Sequence, residues 1–248
     1  MGIRLDTARH PRRPSPARRV GGCQQWRRLV PLTAAAWLDG GLRSRRKVPR
    51  EVAALFIDVE GCTRLCEDLS PREMNTLLET YFSEFLDVVR VAGGEVTEVM
   101  GDGLLALFEV PDARLAALAA LGAALGVRRR TARLNGRRPR HDPVTVNMGL
   151  NAGEAFVGFT RLRGRSGERW VYAATGPVTN VAARLAALAH GGQILATRET
   201  AALLSTACVC RSLGPHVLKN VTRPVEVVEI TNGRAAGRSG ATSEIIHG

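Results

Sequence analysis

The sequence predicts an α+β fold, a sandwich in which helices pack on a mixed, mostly antiparallel sheet. Three observations carry that prediction. Residues 52–59 (VAALFIDV) form a continuous apolar run, as in a strand covered on both faces. Met74, Leu77, Leu78, Tyr81, Phe82, Phe85, Leu86 and Val89 recur at helical spacing. Several strands also join directly through short turns, so strands and helices alternate irregularly and do not build a βαβ repeat. No internal period of 20–50 residues is visible.

Along the chain, residues 1–50 are rich in Arg, Pro and Gly, lack periodicity and are predicted to form a basic, disordered arm. The folded domain spans 51–232, and 233–248 read as a flexible tail. Within the domain, Glu60-Gly61-Cys62-Thr63 makes a tight turn into a short helix after the first strand. Ser70 and Glu73 then form a capping box with Pro71 at the first helical position, and Gly93-Gly94 ends that helix. The stretch 97–108 (TEVMGDGLLALF) is a hairpin bent at Gly101-Asp102-Gly103, residues that tolerate positive φ. Asp112 caps an Ala/Leu-rich helix to about residue 127, and a basic connection covers 128–140. Segments 144–150 and 154–159 read as a strand pair around Asn151-Ala152-Gly153, followed by a polar excursion (160–169) and a strand at 170–174. Gly176-Pro177 starts a helix that ends near Gly191-Gly192. Residues 193–197 are a short strand, and 217–230 carry a last hairpin.

Composition excludes several function classes. The 248 residues suffice for one sizeable core, and 45% hydrophobic content is that of a globular protein. The net charge of +12 suggests nucleic acid, but thirteen of the 35 Arg/Lys and only two of the 23 acidic residues fall in the arm. The body is close to neutral and only 4% of the chain is aromatic, which argues against a specific nucleic-acid surface. No apolar run reaches the ~20 residues of a membrane helix, and no secretory signal has its apolar segment in the right place. The five cysteines are odd in number and lack CxxC pairs, which suits buried or idle thiols in a reducing cytoplasm and argues against a zinc site.

Two constellations could do chemistry. Asp58 ends an apolar strand and Asp102 sits at a hairpin tip. Each alone is an ordinary turn former, but on adjacent strands they could place both carboxylates on one or two divalent cations. The turn Gly61, Cys62, Thr63 would aim backbone amides at whatever phosphate those cations hold. Asn180 and Arg184 lie i, i+4 on the helix after Gly176-Pro177, opposite the Val178, Ala182, Leu185 and Ala189 face. Standing alone, that pair would read as a solvated face.

Five segments in register change the weighing: FIDVEGCTRL, EVMGDGLLALF, VNMGLNAGEAFVG, TGPVTNVAARL and LKNVTRPVEVVEI, spread over roughly residues 52–231. Together they resemble the catalytic domain of class III nucleotidyl cyclases, the adenylate and guanylate cyclases. The resemblance implies a ferredoxin-like, palm-type sandwich, active as an antiparallel homodimer whose two sites are each shared between chains. It implies two divalent cations, Mg²⁺ or Mn²⁺, held by Asp58, Asp102 and the Val59 carbonyl. Asn180 would orient the ribose and Arg184 would stabilise the transition state, while Lys219 or Arg223 would meet the β/γ-phosphates.

Glu98 and Ala173 fall at the positions that contact the purine. Glutamate suits guanine, whose N1–H and 2-amino group are donors, while Ala173 offers no side-chain hydrogen bond. Cys62 stands where the family usually has Phe, and Gly176-Pro177 where it usually has Gly-Asp. The expectation is a cytoplasmic cyclase that makes a 3′,5′-cyclic nucleotide from ATP or GTP, with ATP slightly favoured. Guanylate cyclase activity is the alternative that Glu98 supports, and a catalytically weak nucleotide-binding or dimerisation module is a further one.

Overall fold

The computed structural model describes residues 47–138 and 142–233. Thirteen elements follow in order: β1 (Val48–Val59), α1 (Cys62–Asp68), α2 (Pro71–Val91), β2 (Glu95–Met100), β3 (Gly103–Glu109), α3 (Ala113–Gly136), β4 (Val146–Gly164), β5 (Gly167–Thr175), α4 (Pro177–Leu188), β6 (Ile194–Thr197), α5 (Arg198–Leu203), β7 (Cys208–His216) and β8 (Val225–Gly233). The strands form one mixed sheet in the order β2-β3-β1-β4-β6-β8-β7, and β5 pairs with β4 off that path. Only β4 and β6 run parallel; every other pairing is antiparallel. The α+β class is as the sequence predicts.

Alternation along β1 explains why its apolar run is unbroken. Ala53, Leu55, Ile57 and Val59 pack under α2 and α3 with Tyr81, Phe85 and Phe108. Val52 and Ala54 face the other way and meet Leu105, Leu107, Tyr172 and the α4 residues Val178 and Ala182. The helix α2 forms where its signals say. The Ser70 side chain accepts from the Glu73 amide, the Glu73 carboxylate accepts from the Ser70 amide at 2.9 Å, and Pro71 opens the first turn.

Several boundaries differ from the expectation. β1 starts at Val48, and Arg50 pairs with Glu109 at 3.3 Å, so 47–50 belong to the fold and not to an arm. Residues 1–46 and 234–248, the rest of the expected arm and tail, lie outside the described residues. The helix α3 runs on to Gly136 through the expected basic connection, because arginine is a good helix former and Arg130 and Arg133 both pair with Glu84 on α2. The two expected strands at 144–159 are one, β4, which passes through Gly153 at φ 154° without turning. The polar excursion is the β4–β5 hairpin. The last hairpin pairs β7 with β8, leaving 217–224 as its loop; β7 is an edge strand, where Pro215 is tolerated.

Gly149 decides how closely α4 lies on the sheet. A Cβ there would come within 2.0 Å of the Ala182 carbonyl and 2.5 Å of the Ala186 amide, both backbone atoms that no rotamer change can clear. Gly149→Ala is expected to cost about 3 kcal/mol, a melting-temperature loss of roughly 6–12 °C. Gly122, exposed on α3 with open space around it, is the control. Gly122→Ala should be neutral or raise stability by up to about 1 kcal/mol. Thermal unfolding of the two variants checks both.

Candidate active site

Asp58 is the last residue but one of β1, and Asp102 closes the β2–β3 turn beside it. The register sets Asp58 opposite Gly103, and the Val59 amide donates to the Asp102 carbonyl at 3.1 Å. A Cβ at 103 would stand 3.4 Å from an Asp58 oxygen and 2.8 Å from the Phe56 ring. Glycine there keeps the space between the strand ends open. The two carboxylates therefore converge, and among the described residues neither has an ion-pair partner. Burial, and then the charge of Asp102, push the Asp58 carboxyl up to about 6. Beside them the Cys62 thiol, pushed up to about 12 by burial and by its hydrogen bond to Asp102, remains a neutral donor.

Two half-buried carboxylates held together without a counter-charge are a donor set for a hard divalent cation. Among the described residues no group of three or more His, Cys, Asp or Glu side chains is arranged to hold a metal ion by itself. A further oxygen would have to come from backbone, such as the Val59 carbonyl, or from a ligand. The sign of the pH effect follows from the raised value. An unfolded aspartate titrates near 3.9, so the metal-free protein should lose stability as pH rises from about 4 to about 6 and keep that deficit above. Mn²⁺ is expected to raise the melting temperature at about pH 7.5 and to do so less below about pH 6, as the proton competes for Asp58. In Asp58→Asn the Mn²⁺ shift should vanish. A shift unchanged from pH 5 to 7.5 would contradict this assignment.

Gly61 caps α1 in the left-handed region at φ 68°, and no side chain caps the helix, so the first-turn amides of Cys62 and Thr63 have no intrahelical acceptor. The turn is latched from behind. The Glu60 carboxylate accepts from the Gly191 amide at 2.8 Å and from Asn147 Nδ2 at 3.3 Å, and Asn147 Oδ1 accepts from the Gly192 amide at 2.9 Å. This ties the turn after Asp58 to the turn after α4. Sequence reasoning missed it, since a glutamate before a glycine signals nothing without its distant partners.

The second constellation stands on α4. Val178, Ala182, Leu185 and Ala186 are buried against the sheet, while Asn180 is exposed and Arg184 half-buried. Among the described residues neither makes a side-chain hydrogen bond or an ion pair, with each other or with Asp58 and Asp102. One chain thus does not close the two constellations on each other. Lys219 and Arg223 are exposed on the β7–β8 loop, and β8 lies three strands from β1. Among the described residues no hydrogen bond or ion pair joins either to the aspartates.

Glu98 owes its direction to a β-bulge. Val96 pairs with Ala106 and Glu98 with Leu105, so Thr97 is the extra residue. Without the bulge, Val96 and Glu98 would share the helix-covered face. With it, Glu98 joins Leu105 and Phe56 on the face that also carries Asp58. Ala173 lies on β5, half-buried, and β5 reaches over this face: Tyr172 packs among Val52, Ala54 and Leu107 and donates to Glu109 at 2.7 Å. There β2 and β5 touch.

Comparison with known proteins adds the following. The family described as the Adenylate and Guanylate cyclase catalytic domain matches residues 45–228, well over half the chain. Adenylate cyclase 1 of Rhizobium meliloti is 29% identical over 198 residues, which cover 77% of this chain and 29% of that protein. The chain spans about a third of the length of the first of the curated relatives it matches. The adenylyl cyclase CyaB from P. aeruginosa superposes with a TM-score of 0.68 at 27% identity, covering 76% of this chain and 97% of that one. The guanylyl cyclase Cya2 does so with a TM-score of 0.60 at 28% identity, covering 75% and 93%.

Proposed function

The chain belongs to the adenylate and guanylate cyclase catalytic-domain family, and from that premise we propose that it cyclises a purine nucleoside triphosphate as a homodimer with two shared sites. The observation that carries this reading is the convergence of Asp58 and Asp102 beside a helix N-terminus that no side chain caps. Asp58 and Asp102, with the Val59 carbonyl, would hold two divalent cations, Mg²⁺ or Mn²⁺. When bound, these supply activation of the ribose 3′-hydroxyl and charge neutralisation on the triphosphate.

The residues of the chain then divide the remaining work. Asn180 orients the ribose so that its 3′-oxygen faces the α-phosphorus in line with the departing pyrophosphate. The bond from O3′ to the α-phosphorus forms as the bond to the pyrophosphate oxygen breaks. Arg184 neutralises charge growing on the α-phosphate oxygens. The amides of Gly61, Cys62 and Thr63 bind triphosphate oxygens, and Lys219 or Arg223 meets the β/γ-phosphates.

The separation of the two halves supports the dimer. Asn180 and Arg184 make no side-chain hydrogen bond or ion pair among the described residues, with the aspartates or otherwise, so we assign them to the site formed by the partner's aspartates. Exposed Val99, Met100, Phe156 and Leu162 offer apolar surface for that contact. No helix among the described residues is long and apolar enough to cross a membrane. We place the reaction in the cytoplasm, with its nucleotide. The test is incubation of the purified chain with Mn²⁺ and either ATP or GTP, scored for cyclic nucleotide and pyrophosphate in equal amounts. A folded protein that yields neither from both substrates would sink the reading. Relatives argue for ATP by likeness, and Glu98 argues for GTP by chemistry.

A further inference from the structure

The helix α4 is tied down near both ends, and one of the two ties reaches back to the aspartates. At its start, Asn151 Nδ2 donates to the Val178 carbonyl at 3.3 Å, and Asn151 Oδ1 accepts from the buried Thr197 and Thr200 hydroxyls. That anchor belongs to the interior of the fold. Past its end, the Gly191 and Gly192 amides are strapped by the Glu60 carboxylate and by Asn147 Oδ1, while Asn147 Nδ2 donates to Glu60. Glu60 lies two residues beyond Asp58 and directly precedes the amides of Gly61, Cys62 and Thr63. Its own amide donates to the Thr145 carbonyl at 2.9 Å. Asn147 is the β4 residue opposite Asp58 in the register and is only 3% exposed. A run of side-chain hydrogen bonds thus leads from the phosphate-binding turn to the exit of the helix that carries Arg184.

The segment it grips is soft by composition. Gly191 and Gly192 are consecutive left-handed residues, at φ 60° and 82°, and glycine has the most freedom to lose when a turn is fixed. Gln193 beyond them is held to β4 by the Met148 amide at 2.9 Å. The latch therefore acts on the stretch between the end of α4 and that point.

We propose that Glu60 is a positioning residue that sets α4, and with it Asn180 and Arg184, according to the state of the phosphate-binding turn in the same chain. The inference rests on the shared-site dimer proposed above, in which that α4 completes the other site. Nucleotide held by the aspartates and turn of one chain fixes Glu60, and the latch passes that order to the Gly191-Gly192 turn and α4. The second nucleotide then meets a helix already in place, and the ordering it must bring about is smaller. The two sites are coupled, and the second molecule binds more tightly than the first.

The experiment titrates the purified full chain and Mn²⁺ with 3′-deoxy-ATP and 3′-deoxy-GTP, which have no 3′-hydroxyl to cyclise, by calorimetry. Hydrogen exchange of the 189–193 amides is followed with and without analogue, and kcat is measured with ATP and GTP. In the wild type the second molecule should bind about 5-fold more tightly, a Hill coefficient of roughly 1.4, and exchange should slow on binding. Glu60→Ala should bring the coefficient to about 1, abolish the slowing and lower kcat by about 10–10²-fold. Glu60→Gln removes the same charge but keeps an oxygen for the Gly191 amide, so it should behave as the wild type. Asn147→Ala removes the Gly192 strap, leaves every charge in place and should act as Glu60→Ala does. Circular dichroism melting verifies that each variant is folded, and either alanine variant suffices.

Independent sites in the wild type, or a coefficient unchanged in the alanine variants, would overturn the proposal. An equal loss in Glu60→Gln would assign the effect to charge and overturn it as well. Binding separates the coupling from the cyclase reading. If the analogues bind cooperatively through Glu60 and no nucleotide is cyclised, the coupling stands and the cyclase reading falls. If cyclic product forms without cooperative binding, the cyclase reading stands and the coupling falls. Neither binding nor product overturns both.

Discussion

Arg184→Ala is expected to lower kcat by about 10²–10³ while KM changes little, the pattern of an interaction made only in the transition state. The structure supports that split. Arg184 sits half-buried on α4 with no hydrogen bond or ion pair among the described residues, so removing it breaks none of either there. The melting temperature should hold, since the helix is fixed by Val178, Ala182 and Leu185 and by its seat on Gly149. Arg184→Lys should recover only part of the rate. A lysine is a point charge and cannot present the paired donors of a guanidinium to two phosphate oxygens. A large rise in KM with kcat intact would instead assign Arg184 to substrate binding.

Asp102→Ala should have a still larger effect, a loss of about 10³-fold or more in metal-dependent turnover. Its effect on stability has the opposite sign to that of a structural aspartate. Asp102 is one cause of the raised Asp58 value, so its removal relieves a repulsion. The metal-free variant should be at least as stable as the wild type at neutral pH, while the Mn²⁺-induced rise in melting temperature disappears. A structural turn former would show the reverse, with lower stability and retained activity. Steady-state kinetics and thermal unfolding with and without Mn²⁺ decide between the two.

Much of this was legible in the chain because the relevant signals are local. The capping box of Ser70 and Glu73, the unbroken run into Asp58 and the glycines around Asp102 each fix a short stretch by short-range chemistry. What was missed depends on distant partners or on conformations with two readings. Asn151-Ala152-Gly153 has turn composition, yet glycine's freedom at φ 154° lets β4 continue through it between two neighbouring strands. The bulge at Thr97 carries no glycine or proline to mark it, so the direction of Glu98 could not be read from periodicity. Residues 208–216 hold a proline and little apolar alternation, which argues against a strand except at a sheet edge. The Glu60 latch joins positions 131 residues apart, and the Lys47 contact with Thr175 spans 128. Neither leaves a mark on its own segment.

The central claim is that each site takes its aspartates from one chain and Asn180 and Arg184 from the other. Mixing separately purified Asp102→Ala and Arg184→Ala chains tests it most directly. In a two-fold dimer, half of the reassorted dimers carry one intact site, so the mixture should recover up to about a quarter of wild-type activity from two nearly inactive parents. A mixture as inactive as its parents, after exchange of subunits has been verified, would mean that each chain builds its site alone.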